Sequence, residues 1–183
     1  KKFQHYRNSV SHLGLVELPE YIEIDVLEVL VRVINTLSWD ESMPNGNENL
    51  ENVAVKLIGK EQFQKLLENP DFIDAVEDKA YEVSWSVKKC IECGCRSWGR
   101  TDLDEVLCFS CGYRVSEELI DFEDCPDCKE GRAVVYDKTQ GHGNEVIGRC
   151  TECNAISYLA YCNECNIASP YREDWVCVEC TGA

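Results

Sequence analysis

The chain lacks any apolar run approaching the roughly 18 residues that a membrane-spanning helix needs. Its opening shows no basic-then-apolar secretory pattern. The expectation is therefore a cytoplasmic protein without membrane contact, and not a secreted disulfide scaffold. Bases are scarce: 18 Lys and Arg stand against 34 Asp and Glu in 183 residues, a formal net charge of −16. Coating nucleic acid nonspecifically requires a broad basic surface, so that class is excluded. Cysteine is absent from residues 1–89, and all 13 cysteines lie between Cys90 and Cys180. The chain is thus at least bipartite, with a boundary near residues 85–89. Charge does not mark that boundary. Residues 1–84 hold 8 bases and 16 acids and residues 85–183 hold 10 and 18, which leaves each part at −8.

Twelve of the cysteines form six C-x-x-C pairs: Cys90/Cys93, Cys108/Cys111, Cys125/Cys128, Cys150/Cys153, Cys162/Cys165 and Cys177/Cys180. Two intervening residues let both thiolates of a tight turn face one ion, and two such turns complete a tetrahedral shell. The residue after the second cysteine tends toward a positive φ, which glycine and then asparagine accept best. Gly94, Gly112, Asn154 and Asn166 occupy that place in four pairs, Lys129 and Thr181 in the other two. Joining neighbouring pairs encloses 14, 21 and 11 residues (94–107, 129–149 and 166–176), each enough for a short hairpin. Residues 132–136 and 145–149 read as strands around a turn at 140–144. Residues 174–176 run straight into Cys177.

These units resemble rubredoxin-like zinc ribbons, three in tandem: residues 86–115, 121–157 and 158–183. About three structural zinc ions are expected, since four cysteines per ion leave no open catalytic position. Iron also suits four thiolates. Thioredoxin-like redox chemistry would need one reactive pair after a strand, not six repeats. Cys95 stands outside the pattern as an incidental small residue, a spare thiol or an alternate ligand. His142 reads as an exposed turn residue.

Residues 1–85 read as helical. Residues 21–37 are so densely apolar that the spacing predicts a helix buried on most sides. Further helices are predicted over 50–58, 61–68 and 71–83, with Gly59 as a stop and Asn69-Pro70 as a cap and first turn. Three short helices cover the first poorly. A homodimer through this segment, or helices preceding Lys1, would complete the core.

One cluster looks catalytic. Lys1, Lys2 and Arg7 are the only Lys, Arg, Asp or Glu before Glu17, and His5 and His12 lie among them. On a helix His5, Asn8 and His12 share a face. Histidine can move a proton near neutral pH, and arginine can hold a phosphate and offset developing charge. Arg7-Asn8-Ser9-Val10-Ser11-His12 resembles the R-x4-6-H motif of HEPN domains, with Tyr6 before it and Leu13-Gly14 after it also similar. The resemblance implies a metal-independent endoribonuclease of a toxin, antiphage or RNA-processing system. Arg7 and His12 would then be the catalytic pair and Asn8 their support, with two motifs meeting across a dimer. Gly14 stands where one subtype carries a tyrosine modified by a partner nucleotidyltransferase, which disfavours that subtype. In the family the motif lies late in a helical bundle, so a longer chain is implied. The expected fold is an all-helical, HEPN-like N-terminal segment followed by three tandem zinc ribbons. The rival reading is a non-enzymatic zinc-ribbon adaptor, whose aromatics Trp98, Tyr113, Tyr158 and Tyr171 could serve a protein or nucleic-acid partner.

Overall fold

The computed structural model describes residues 20–39, 52–140, 145–162, 164–165, 167–170, 177 and 180. Helix α1 (Glu20–Leu37) is followed by α2 (Val53–Ile58), α3 (Lys60–Leu67) and α4 (Pro70–Val83). The helix ends follow local chemistry. Asn52 caps α2 by accepting the Val55 N–H at 3.0 Å, and Asn69 caps α4 through Phe72 at 3.2 Å, with Pro70 in the first turn. Gly59 ends α2 at φ 83°, its N–H returning to the Val55 carbonyl.

Helix α1 departs from the sequence expectation. Leu27, Val31 and Ile34 are buried along one stripe, whereas Val26, Val29 and Val33 are exposed. The buried stripe meets Phe72, Val76 and Ala80 of α4, spaced at i, i+4 and i+8.

Nine strands follow among the described residues. Strands β1 (Val87–Lys89), β2 (Arg96–Arg100), β3 (Glu105–Cys108) and β4 (Arg114–Ser116) form one antiparallel sheet in sequential order. A 3-10 turn (Glu117–Leu119) leads into a second antiparallel sheet. It consists of β5 (Ile120–Glu123), β6 (Val134–Asp137), β7 (Glu145–Cys150), β8 (Ile156–Cys162) and β9 (Ile167–Pro170), again in order.

The expected fold class is therefore corrected. The described chain has four helices and two antiparallel sheets, and is not an all-helical segment followed by three tandem zinc ribbons. The helices do not close a core of their own. Leu27, Ile34, Phe72 and Ala80 share one cluster with Leu107, Cys90, Cys111 and Trp98 of the first sheet. Gly99 of β2 makes this close approach possible: a Cβ there would lie 2.7 Å from Ser84 Cβ at the end of α4. The second and third ribbons share one sheet: β8 runs from the Cys150/Cys153 turn directly to Cys162 and pairs with both β7 and β9.

The sheets meet through β5 and β6. Side chains alternate across a strand, so β6 faces two ways. Val135 joins the core shared with the helices, and Val134 and Tyr136 join a second core with Val146, Leu159 and Tyr161. Asp137, 1% exposed, accepts the Tyr113 hydroxyl at 2.5 Å together with the N–H and hydroxyl of Thr139, each at 2.7 Å. Three donors satisfy the buried carboxylate and tie the first sheet to the second. Among the described residues no helix is long and apolar enough to cross a membrane.

Candidate metal centres

The four C-x-x-C turns of the first two sets repeat one backbone geometry. The first cysteine's N–H donates to the carbonyl five residues on: Cys90 to Cys95, Cys108 to Tyr113, Cys125 to Glu130 and Cys150 to Ala155, all at 2.8–2.9 Å. The residue after the second cysteine donates back to the first cysteine's carbonyl, at 2.8–3.1 Å for Gly94, Gly112, Lys129 and Asn154. All four of these residues have positive φ, between 63° and 78°. The conformation is demanded by the turn, since Lys129 adopts it without the freedom of glycine. A non-glycine residue there costs about 1 kcal/mol.

The turns assemble into three quartets. Cys90, Cys93, Cys108 and Cys111 form the first, Cys125, Cys128, Cys150 and Cys153 the second, and Cys162, Cys165, Cys177 and Cys180 the third. Within each, the four Sγ atoms lie within 4.8 Å of one another. All 13 thiols are free of disulfides. A regular tetrahedron around an ion at about 2.3 Å has sulfur–sulfur edges of about 3.8 Å. Cys90–Cys111 spans 3.8 Å, and Cys93–Cys108, Cys125–Cys153 and Cys128–Cys150 each span 3.7 Å. In the third quartet Cys162–Cys180 and Cys165–Cys180 are closer, at 3.5 and 3.2 Å. The first two quartets already have the dimensions of a four-thiolate metal shell, so the residues fit such an ion.

Polar donors reach individual sulfurs, while burial pushes the Cys150 thiol up to about 12. The Ser97 hydroxyl lies 3.4 Å from Cys108 Sγ, and the N–H groups of Glu152 and Cys153 each donate to Cys150 Sγ at 3.4 Å. In the third quartet the Cys165 N–H pulls the Cys162 thiol down to about 7. Burial grades the sites: Cys90, Cys108 and Cys111 are fully buried, the second quartet exposes Cys128 and Cys153, and the third exposes Cys180.

Cys95 is resolved as a structural position. Its carbonyl closes the first turn, the place held by Tyr113, Glu130 and Ala155 in the others, and its side chain is buried in the shared core. Burial, followed by the charges of Cys108 and Cys93, pushes its thiol up to about 12.

Two functional residues escape a reading limited to ligands. Lys89, directly before Cys90, donates from Nζ to the Glu152 carbonyl inside the second quartet's turn, at 2.6 Å. Arg149, directly before Cys150, donates from Nε to the Ile91 carbonyl inside the first quartet's turn at 3.0 Å, and reaches the Glu92 carbonyl at 3.4 Å. Each metal turn is gripped by the cation that precedes the other. The signal is present in the sequence as a repeated basic-Cys-x-Glu-Cys, at 89–93 and 149–153.

The helical layer also reaches the first centre. The Ala54 N–H at the start of α2 donates to the Cys111 carbonyl at 3.1 Å. Gly112 admits the helix, since a Cβ there would lie 2.7 Å from Val53 Cβ. Arg7, Asn8, His12 and His142 lie outside the described residues, as does the segment 174–176.

Fold and site together define a two-sheet protein with three four-cysteine clusters able to hold metal, about three ions per chain. No family model matches the chain, and neither a curated protein nor a solved structure shows significant similarity to it.

Proposed function

We propose that the chain is a zinc-folded, non-catalytic binding module, in which three structural zinc ions fix a rigid surface for a partner. The observation that carries this reading is the ligand count: twelve cysteines divide into three sets of four, the first two at tetrahedral spacing. A catalytic zinc keeps an open position for water or substrate, and four sulfurs leave none. Metal analysis by native mass spectrometry tests it. Three zinc ions per chain and a four-thiolate spectrum after cobalt substitution are expected. A lower stoichiometry, or iron in the isolated protein, refutes the assignment.

A second reading rests on Arg7, Asn8 and His12 alone. The HEPN-like motif supports a metal-independent ribonuclease acting as a homodimer, with the metal-bearing sheets placing RNA or a protein partner. RNA cleavage without added metal, lost in Arg7→Ala or His12→Ala, is its signature. Undiminished cleavage after both substitutions ends it.

A further inference from the structure

A cavity of about 520 Å³ opens between β1 and the turns of the second quartet. Lys88, Lys89, Arg96 and Arg132 line it against only Glu130 and Glu152. The chain as a whole has nearly two acids per base, so the ratio is reversed here. Lys89 is engaged with the Glu152 carbonyl, and Arg96 with Glu77 at 3.5 Å and the Tyr81 hydroxyl. Lys88 and Arg132 form no ion pair among the described residues. Both converge on one ring, Lys88 Nζ at 4.2 Å and Arg132 Cζ at 5.4 Å from the Phe122 centroid.

Two like charges on one ring repel, and an anion bound by both would relieve that repulsion. Arg132 is also held at φ 53°, although Gly131 precedes it and would take that conformation freely. Asp124 Oδ1 accepts the Arg132 N–H at 2.9 Å and fixes the turn. Strain of this kind persists only where the surroundings impose it.

A second cavity, of about 200 Å³, adjoins the first through Ser86 and Lys88. Trp85, 90% exposed, borders it. Lys88 lies three positions after Trp85, a span of at most about 10 Å. That span is comparable with the reach of a nucleotide from base to phosphate. A long strand is disfavoured, because beyond the groove it would cross the surface of a chain at −16.

We infer that this groove binds a free nucleotide, its phosphate held by Lys88 and Arg132 and its base stacked on Trp85. The inference rests on the zinc-folded module, since the turns of the second quartet form one wall and the nucleotide is the partner assigned to its surface.

The test is titration of the metal-loaded full chain with adenosine monophosphate, inorganic phosphate and a single-stranded oligonucleotide, followed by calorimetry and tryptophan fluorescence. Saturable binding of the mononucleotide is expected, weakened about tenfold in Arg132→Gln and by about the same factor in Trp85→Ala. Trp85 is exposed, so its replacement leaves folding intact. Inorganic phosphate binding as tightly as the nucleotide overturns the assignment, and so does binding of the oligonucleotide alone. Metal content measured on the same sample separates the two claims. Three metal ions with no nucleotide binding overturn the groove assignment and leave the module standing.

Discussion

The reciprocal grip of Lys89 and Arg149 predicts that the first two metal centres lose their ions together. Replacing Arg149 with Met keeps the aliphatic stem and removes every donor. The Nε–Ile91 bond at 3.0 Å is charge-assisted and sits on a buried turn. The contacts to Glu92 and Asn154 are longer, both 3.4 Å. A charged hydrogen bond contributes about 1.5–3 kcal/mol. The two longer contacts add little, so the loss is about 2 kcal/mol. Most of it falls on the first quartet, although Arg149 adjoins a cysteine of the second. At 1.4 kcal/mol per tenfold, the first centre's apparent metal affinity drops about 30-fold.

Chelator competition combined with cysteine alkylation and peptide mass spectrometry reads this site by site. In Arg149→Met, Cys90, Cys93, Cys108 and Cys111 should become reactive at lower chelator concentration than in the native chain. Lys89→Met supplies the converse, a smaller weakening of the second quartet, because the Lys89–Glu152 bond is exposed. Coupling between two sites is reciprocal, so loading either one should tighten the other. Unchanged reactivity of the first quartet in Arg149→Met, with only the second released, would refute the reasoning.

Three further outcomes follow from the same geometry. Gly112→Ala should destabilise the chain by about 2–4 kcal/mol, combining a positive-φ penalty with overpacking against Val53, and thermal unfolding measures it. Tyr113→Phe should cost about 1–2 kcal/mol, because Asp137 loses one of three donors; an unchanged denaturation midpoint would show that the contact joins nothing. Under rising chelator the second and third quartets, which expose cysteines, should empty before the first, which exposes none, and alkylation order reads this directly.

The metal centres were legible in the sequence because their geometry is local. Two residues between cysteines, then a residue able to turn left-handed, specify a turn without reference to anything distant. Lys129 shows the limit of that signal, since it takes the same φ with no special residue to announce it. Helix boundaries were legible for the same reason, through Asn69-Pro70 and Gly59. What covers a helix face is not local. The dense apolar run of α1 fits a helix within a bundle, but its buried stripe rests on α4 and a layer that includes β-sheet. The continuity of β8 was also readable in principle. Buried Ser157 and Leu159 alternate with exposed Ile156 and Tyr158, and the buried run continues through Ala160 and Tyr161 to the edge of the third quartet. Separating the ribbons by their cysteines hid it.

Charge placement gives the layers a common logic. With thiolate ligands, three divalent ions would take the formal charge from −16 to about −22. Each four-thiolate shell is then a local −2, and the first two shells lie on adjoining turns. Their repulsion has to be offset at the joint between them. Lys89 and Arg149 are placed there, and their donors meet carbonyls within the turns, not carboxylates at the surface. On the helical side Arg114 lies over the Trp39 ring at 5.1 Å and 3.6 Å from Glu105. Surface pairs such as Lys65–Glu61 and Lys79–Glu82 contribute little by comparison, because water screens them. In so acidic a chain the cations that matter for stability are those at the joints, and removing one should be felt at the metal centre across the joint before it is felt at its own.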